Sequence, residues 1–300
     1  MKHIKLLYLF LLISWSSLPL QAADYLLQSP NGKLTVEIET KGQLSYTLKH
    51  NSQTLLDKSP IGLLLEDKIL GEDIKISRIK RNSSVKEHIV SPHYRLPSFE
   101  VTYNELNLKF KGNYGIIFRA YNEGIAYRFY TTMKGPLIIK DEMVQMNFPE
   151  DYPTFMSYST MPTGEDQYAM AFQNLYTKSS IKGVDTNNIA FLPITIDCGN
   201  ELKMTLLESD LEDYPGMFIK GDGKNTSLQG TFAHYPSEIK NFPPRAMKRI
   251  TKRTDYIART TGERNYPWRI WAITEKDTEM PVNNLVYALA SPNRIGDCSW

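Results

Sequence analysis

The sequence is poor in cysteine, with only Cys198 and Cys298 among 300 residues. A chain of this size can bury enough apolar surface to fold without disulfides. The two cysteines also lack the spacing of a zinc site. Cys198 lies in an apolar, strand-like run, so we predict a buried thiol rather than a reactive one.

The chain also lacks a clear excess of charge of either sign. It has 35 Lys and Arg residues against 33 Asp and Glu residues. Two of the lysines, Lys2 and Lys5, fall in the first 23 residues, so the remainder is close to neutral. Proteins that bind nucleic acid carry a basic surplus that neutralises phosphates. We therefore predict no nucleic-acid partner.

Familiar catalytic motifs are missing as well. There is no Gly-x-Ser-x-Gly elbow, phosphate-binding loop, dinucleotide fingerprint or His-Glu-x-x-His pair. The histidines are isolated in the sequence. These absences exclude the enzyme classes that depend on those motifs.

The first 23 residues have the pattern of a secretory signal peptide. Two lysines precede an apolar run from Leu6 to Trp15, which is too short to cross a bilayer. Small residues follow, with cleavage predicted after Ala22 or Ala23. No later stretch is apolar enough to span a membrane, so we expect a periplasmic or secreted protein without a membrane span.

Hydrophobic periodicity along the rest of the chain is mostly of period two, which is typical of half-buried strands. Lys33–Thr40 and Gln43–His50 alternate in this way around a Gly42 turn and predict a hairpin. Further strands are predicted at 105–112, 115–122, 124–131, 189–197, 203–208, 230–234 and 267–274. The fold class is predicted as all-β: a large antiparallel β-sandwich, or super-sandwich, with few short helices, forming one domain over residues 24–290.

Helical periodicity is scarce. The best case is Val282–Leu289, and the overlapping run Leu285–Ala290 is also strand-like. The chain then passes into Ser291–Trp300, which contains Pro, Gly and Asp. Such a composition favours a connection rather than a packed element.

Polar stretches with a potential for chemistry are few. Glu165 and Asp166, the segment Glu208–Asp213, and Asp222 with its neighbours are interpreted as solvated turns. Two carboxylates cleave a glycosidic bond only at a defined separation, which these spacings do not establish. The segment 243–269 is rich in basic and aromatic residues and predicts a long loop that contacts a partner surface or a sugar.

Five segments, taken together and in this order, resemble the N-terminal β-domain of glycoside hydrolase family 97, a family of α-glucosidases and α-galactosidases. They are SPNGKLTVEI (29–38), SPIGLLLED (59–67), FRAYNEGIAYRF (118–129), LEDYPGM (211–217) and RTTGERNYPWR (259–269). The resemblance covers essentially the whole chain after the signal peptide.

The resemblance implies that residues 291–300 begin a linker to a (β/α)8 barrel, which carries the family's catalytic residues and is absent from this sequence. No catalytic residue is therefore assigned here. The implied function is that of a carbohydrate-binding or supporting domain of an exported α-glycoside hydrolase acting on α-linked oligosaccharides, inactive as this chain alone. The alternative is a stand-alone, non-catalytic carbohydrate-binding β-sandwich.

The resemblance also implies site residues. The family's β-domain contributes a glutamate to a calcium ion shared with the barrel, and Gln173 occupies that position here, with Glu165 as a possible substitute. A neutral amide adds no negative charge to a calcium site, so we expect no metal in this chain alone. Arg264 and Trp268 are the residues expected near the sugar.

Overall fold

The computed structural model describes residues 24–92, 94–162, 164–170, 172–243 and 247–294. The predicted signal peptide, Cys298 and most of the predicted linker lie outside these ranges. Within them, no helix is long and apolar enough to cross a membrane.

Strands dominate the secondary structure of the described residues, as the fold class predicts. In chain order they are β1 (Tyr25–Gln28), β2 (Leu34–Glu39), β3 (Ser45–His50), β4 (Gln53–Leu65), β5 (Ile69–Leu70), β6 (Ile76–Val90), β7 (Ser98–Phe110), β8 (Tyr114–Tyr121), β9 (Gly124–Asn147), β10 (Pro153–Tyr158), β11 (Thr177–Ser180), β12 (Ala190–Asp197), β13 (Lys203–Ser209), β14 (Met217–Gly221), β15 (Ser227–Phe232), β16 (Pro236–Phe242), β17 (Met247–Arg253), β18 (Ala258–Asn265) and β19 (Trp268–Thr274). A 3-10 turn (Asp277–Val282) and one short helix, α1 (Leu285–Leu289), follow.

Period-two alternation explains the first hairpin. Leu34, Val36 and Ile38 of β2 are buried and alternate with partly exposed residues. β2 pairs antiparallel with β3, and Gly42 in the intervening turn has a φ of 69°, which glycine adopts without a steric penalty. The predicted hairpin is confirmed.

The long strand β9 joins the two layers of the sandwich because it changes partners along its length. Its first residues pair with β8 and β19, and its last residues pair with β4 and β15. One layer therefore has the order β6-β7-β8-β9-β19-β13-β12-β10-β11. The other begins β1-β2-β3-β4-β9. Every one of these pairs is antiparallel.

The main core lies where the two layers face each other. Tyr46 of β3 packs against Phe118 of β8 with ring centroids 6.0 Å apart. Trp271 of β19 donates a hydrogen bond from Nε1 to the Tyr46 hydroxyl at 2.9 Å. These contacts belong to one large buried cluster that includes side chains of β2, β4 and β13. Burial of this cluster is the main source of the fold's stability.

A second, smaller core covers the outer face of β7, β8, β9 and β19. Trp268, Ile270 and Tyr121 pack there against Leu285 and Leu289 of α1. Since helix α1 brings its apolar side chains onto an otherwise exposed sheet face, this short element is stabilised by packing rather than by its own length.

Three sequence-based expectations are wrong. The run Leu285–Ala290 is not a strand, because its apolar side chains cover the outer sheet face from helix α1, which lies within the segment Val282–Leu289 named as the best helical case. The segment 243–269 is not a long loop, because β18 pairs with β9 and β17 pairs with β16. Lastly, Glu208 does not lie in a solvated turn but within β13, where its carboxylate binds a buried arginine.

Candidate functional site

A surface cavity of about 560 Å³ contains Arg264 in its lining, and we call it the Arg264 cavity. Strand β9 supplies residues 130–132 to its wall, and β18 supplies residues 259–265. Asp210, Glu212 and Asp213, which connect β13 to β14, form the acidic side. Ser291, beyond helix α1, completes the lining.

The arginine of this cavity is held in place by aromatic rings and a carbonyl group. The Arg264 guanidinium lies 5.8 Å from the ring centroids of both Tyr214 and Tyr266. Its Nη2 donates to the carbonyl oxygen of Leu211 at 3.3 Å. Its Nε is buried and has no hydrogen-bond partner among the described residues. Arg264 is thus positioned in advance, with its Nε closed off from solvent.

The acidic side of the cavity is tied to the last described residues. Asp210 accepts a hydrogen bond from Arg128 Nη1 at 3.1 Å and another from the backbone N–H of Ser291 at 3.2 Å. Glu212 forms an ion pair with Arg294 at 3.3 Å. Residues 291–294 are therefore fixed along the rim of the cavity.

Three further charged side chains in the lining, Asp213, Arg259 and Glu263, are exposed. In the part of the chain that the structure describes, they make no ion pair or side-chain hydrogen bond. Side chains of both signs around a polar cavity can donate to and accept from hydroxyl groups. The Arg264 cavity therefore has the chemistry to hold a neutral, hydroxyl-rich ligand.

Trp268 lies elsewhere, on the outer face of the sheet. It is 1% exposed, and its ring centroid lies 4.4 Å from the Arg128 guanidinium and 5.2 Å from that of Arg119. Burial lowers the pKa of Arg128, whereas the neighbouring Asp210 raises it. Because its side chain is buried in the second core, Trp268 offers no free face to a sugar in this structure. Arg264 and Trp268 do not form one site, although Arg128 links Trp268 to the acidic side of the cavity.

Glu165 and Gln173, the residues expected at a calcium ion, are both exposed in the segment between β10 and β11. The neighbouring Asp166 is already engaged, because Arg253 donates to its Oδ2 from Nη2 at 2.8 Å. Within the described ranges, no three His, Cys, Asp or Glu side chains lie together as metal ligands. These residues do not fit a calcium site by themselves, and calcium binding with a catalytic partner stays a prediction.

A buried ion-pair cluster was missed by sequence reasoning. Arg269 of β19 donates to Glu142 of β9 from Nε at 2.9 Å and from Nη2 at 2.7 Å. Its Nη1 donates to Glu208 of β13 at 2.6 Å. Burial alone would lower the pKa of Arg269, but the two carboxylates hold it above its usual value. The only sequence signal was a charged residue inside the apolar run 268–274.

This cluster is structural rather than catalytic. The Arg269 side chain is 1% exposed, and those of Glu142 and Glu208 are 4% and 14% exposed. Glu208 also accepts a hydrogen bond from the backbone N–H of Met217 at 3.0 Å. The hydrogen bonds of the cluster join side chains and backbone of β9, β13, β14 and β19. The cluster therefore fixes the relative positions of these strands.

Comparison with known proteins gives a family for most of the chain. Residues 27–292 match the family described as "Glycosyl-hydrolase 97 N-terminal". A retaining alpha-galactosidase of Bacteroides thetaiotaomicron is 35% identical over 304 aligned residues, which cover 99% of this chain. The same alignment covers 46% of that protein, so the chain spans about half the length of the curated relative it matches.

Solved structures agree in fold. A glycoside hydrolase family 97 enzyme from Pseudoalteromonas sp. strain K8, in complex with acarbose, superimposes with a TM-score of 0.73 at 18% identity. The match covers 92% of this chain and 39% of that one. A beta-arabinopyranosidase gives a TM-score of 0.70 at 17% identity over 84% of this chain and 40% of its own. At these identities, the likeness concerns the fold alone.

Proposed function

Because the chain belongs to the glycosyl-hydrolase 97 family through its N-terminal domain, we propose that it is the supporting β-sandwich of an exported α-glycoside hydrolase. The observation that carries this proposal is the family match over residues 27–292, which includes both cores and the Arg264 cavity. In this role the sandwich packs against a (β/α)8 catalytic domain and does not itself cleave the substrate.

The substrate class we propose is an oligosaccharide with a terminal α-linked sugar, and galactose is favoured over glucose. The 35% identity to a retaining alpha-galactosidase supports this preference. The described residues also support a non-catalytic role, since the buried carboxylates Glu142 and Glu208 are both committed to Arg269. Neither is free to protonate a leaving group or to attack a sugar.

A chimeric enzyme tests the proposal. The N-terminal domain of the Bacteroides relative would be replaced by this chain, and hydrolysis of p-nitrophenyl α-galactoside and α-glucoside would be compared. We expect the chimera to keep the relative's hydrolysis of the galactoside and the chain alone to hydrolyse neither, because the catalytic half supplies the groups that cleave the bond. Turnover by the chain alone, or a folded chimera without activity on either substrate, would contradict the proposal.

A second candidate function is carbohydrate binding by the sandwich without catalysis, and the Arg264 cavity favours it. The Arg264 guanidinium, which lines the cavity, and the exposed carboxylates beside it suit the hydroxyl groups of a sugar. Titration calorimetry with galacto- and malto-oligosaccharides should give heat with the wild-type chain and none with Arg264→Met. Leu26→Ala, at an exposed residue on β1, serves as the control, and equal heats from all three proteins would reject the cavity as a sugar site.

A further inference from the structure

The hairpin β16–β17 is an unusual part of the molecule because it stands apart from the sandwich. In the described residues its two strands pair with each other and with no third strand. The hairpin is nevertheless anchored at its base, where Tyr235 and Tyr256 are joined by a backbone hydrogen bond of 2.8 Å and stack with ring centroids 5.8 Å apart. It is a fixed projection.

This projection carries exposed apolar side chains. Ile239, Phe242 and Met247 are 54%, 43% and 54% exposed. Exposing large apolar side chains costs free energy in water, and a cluster of them is typical of a surface that another molecule covers.

Two of these side chains, Phe242 and Met247, border a groove of about 740 Å³, which we call the hairpin groove. One wall is formed by Phe242, Met247 and Ile250 of the hairpin, and the other by Met161, Tyr168 and Met170. The two walls are held together by Arg253, which donates to Asp166 at 2.8 Å and lies 5.7 Å from the Tyr168 ring centroid. The groove is therefore preformed, with both walls fixed in relation to each other.

The charges around the groove indicate the chemistry of its occupant. Lys248 and Arg249 line it and make no ion pair or side-chain hydrogen bond to another described residue. Among the other described cations of the hairpin, Lys240 and Lys252 share the carboxylate of Glu238, and Arg253 pairs with Asp166. The free charges at the groove are thus two cations against the single carboxylate of Glu165. An apolar surface with an acidic rim would complement them.

We propose that the hairpin groove is the surface on which the catalytic domain of a family 97 enzyme docks, through an apolar patch bordered by Asp or Glu. This proposal rests on the proposed function and names the contact that function requires. The matched relative has more than half of its length outside the region equivalent to this chain, so its N-terminal domain has a partner of comparable size. The hairpin groove combines exposed apolar area, unpaired charge and rigidity.

The test is protection of a thiol from alkylation. Met247→Cys would be introduced together with Cys298→Ser, in the full chain and in the chimera that carries the catalytic half of the Bacteroides relative. Maleimide labelling should be at least about tenfold slower in the chimera. A tenfold protection corresponds to a free energy of about 1.4 kcal/mol for exposing the thiol. Ile79→Cys, at a residue of β6 that is 45% exposed, is the matched control and should be labelled equally fast in both proteins.

A charge-reversal arm tests the electrostatic part. Lys248→Glu combined with Arg249→Glu should restore rapid labelling of residue 247 in the chimera, because like charges would then face each other across the interface. High salt should likewise speed the labelling of residue 247 in the chimera, because it screens the attraction between the two surfaces.

The outcomes separate the two proposals. An active chimera in which residue 247 is labelled as fast as in the chain alone would overturn the docking surface and leave the proposed function intact. A folded but inactive chimera would overturn the proposed function and the docking surface with it. Protection that appears in the chain alone as its concentration rises would show that a second copy covers the groove, and would also overturn the docking proposal.

Discussion

Removing the cation from the buried cluster of Arg269, Glu142 and Glu208 should strongly destabilise the sandwich. Arg269→Met keeps the side-chain length and apolar character but leaves two carboxylates without their partner in a buried site. Breaking a buried ion pair in this way costs about 3–5 kcal/mol. For a domain of this size we take about 2 °C per kcal/mol, so the melting temperature should fall by about 6–10 °C.

The loss should depend on pH in a defined direction. Burial raises the pKa of Glu208, whereas Arg269 lowers it, so removing the arginine raises that pKa further. A carboxyl group whose pKa is higher in the folded state than in the unfolded state stabilises the fold at low pH, and that contribution is lost as the pH rises through the folded-state pKa. The difference between wild type and Arg269→Met should therefore be larger at pH 8 than at pH 5.

Thermal unfolding followed by circular dichroism at pH 5 and pH 8 measures both effects. Arg259→Met is the matched control, because Arg259 is exposed and should tolerate the change. Adding Glu142→Gln to Arg269→Met should recover part of the stability, since one buried negative charge is removed. The reasoning is refuted if Arg269→Met has the same melting temperature as the control, or if its loss of stability relative to wild type is the same at both pH values.

Three further outcomes are expected. Gly262→Ala should destabilise the fold by about 1–3 kcal/mol in denaturant titrations, because an added Cβ would lie 2.4 Å from two backbone carbonyl oxygens; an unchanged midpoint would contradict this. Trp271→Phe removes the hydrogen bond to Tyr46 and should cost about 1–3 kcal/mol, a loss that Tyr46→Phe should partly offset if the unpaired hydroxyl is the cause. Burial raises the pKa of the Cys198 thiol to about 12, so in a Cys298→Ser background iodoacetamide at pH 8 should label the chain only after denaturation.

The sequence was most informative about strands with one buried face. β2 is the clearest case, because its side chains alternate between buried and partly exposed positions, and the period of that alternation is a local property of the chain. β6 and β17 were missed for the opposite reason. Most of their residues are exposed on both faces, so no apolar alternation marks them.

The candidate site residues were likewise only partly predictable from the sequence. Arg264 was singled out by its resemblance to a family segment, and the structure places it in a cavity. Trp268, the other residue expected near the sugar, is buried in the second core. Sequence neighbours on β18 and β19 project to different faces after the intervening turn. A spacing of four residues could not reveal that difference.

The amino-acid sequence by itself determined that this protein is an all-β sandwich with a buried Cys198, because the alternation of apolar and polar residues and the apolar content of each segment are local properties of the sequence. Only the tertiary structure decided which distant charges meet. Glu142, Glu208 and Arg269 are separated by up to 127 positions, and their pairing follows from the register of β9, β13 and β19, a long-range property that no local pattern encodes.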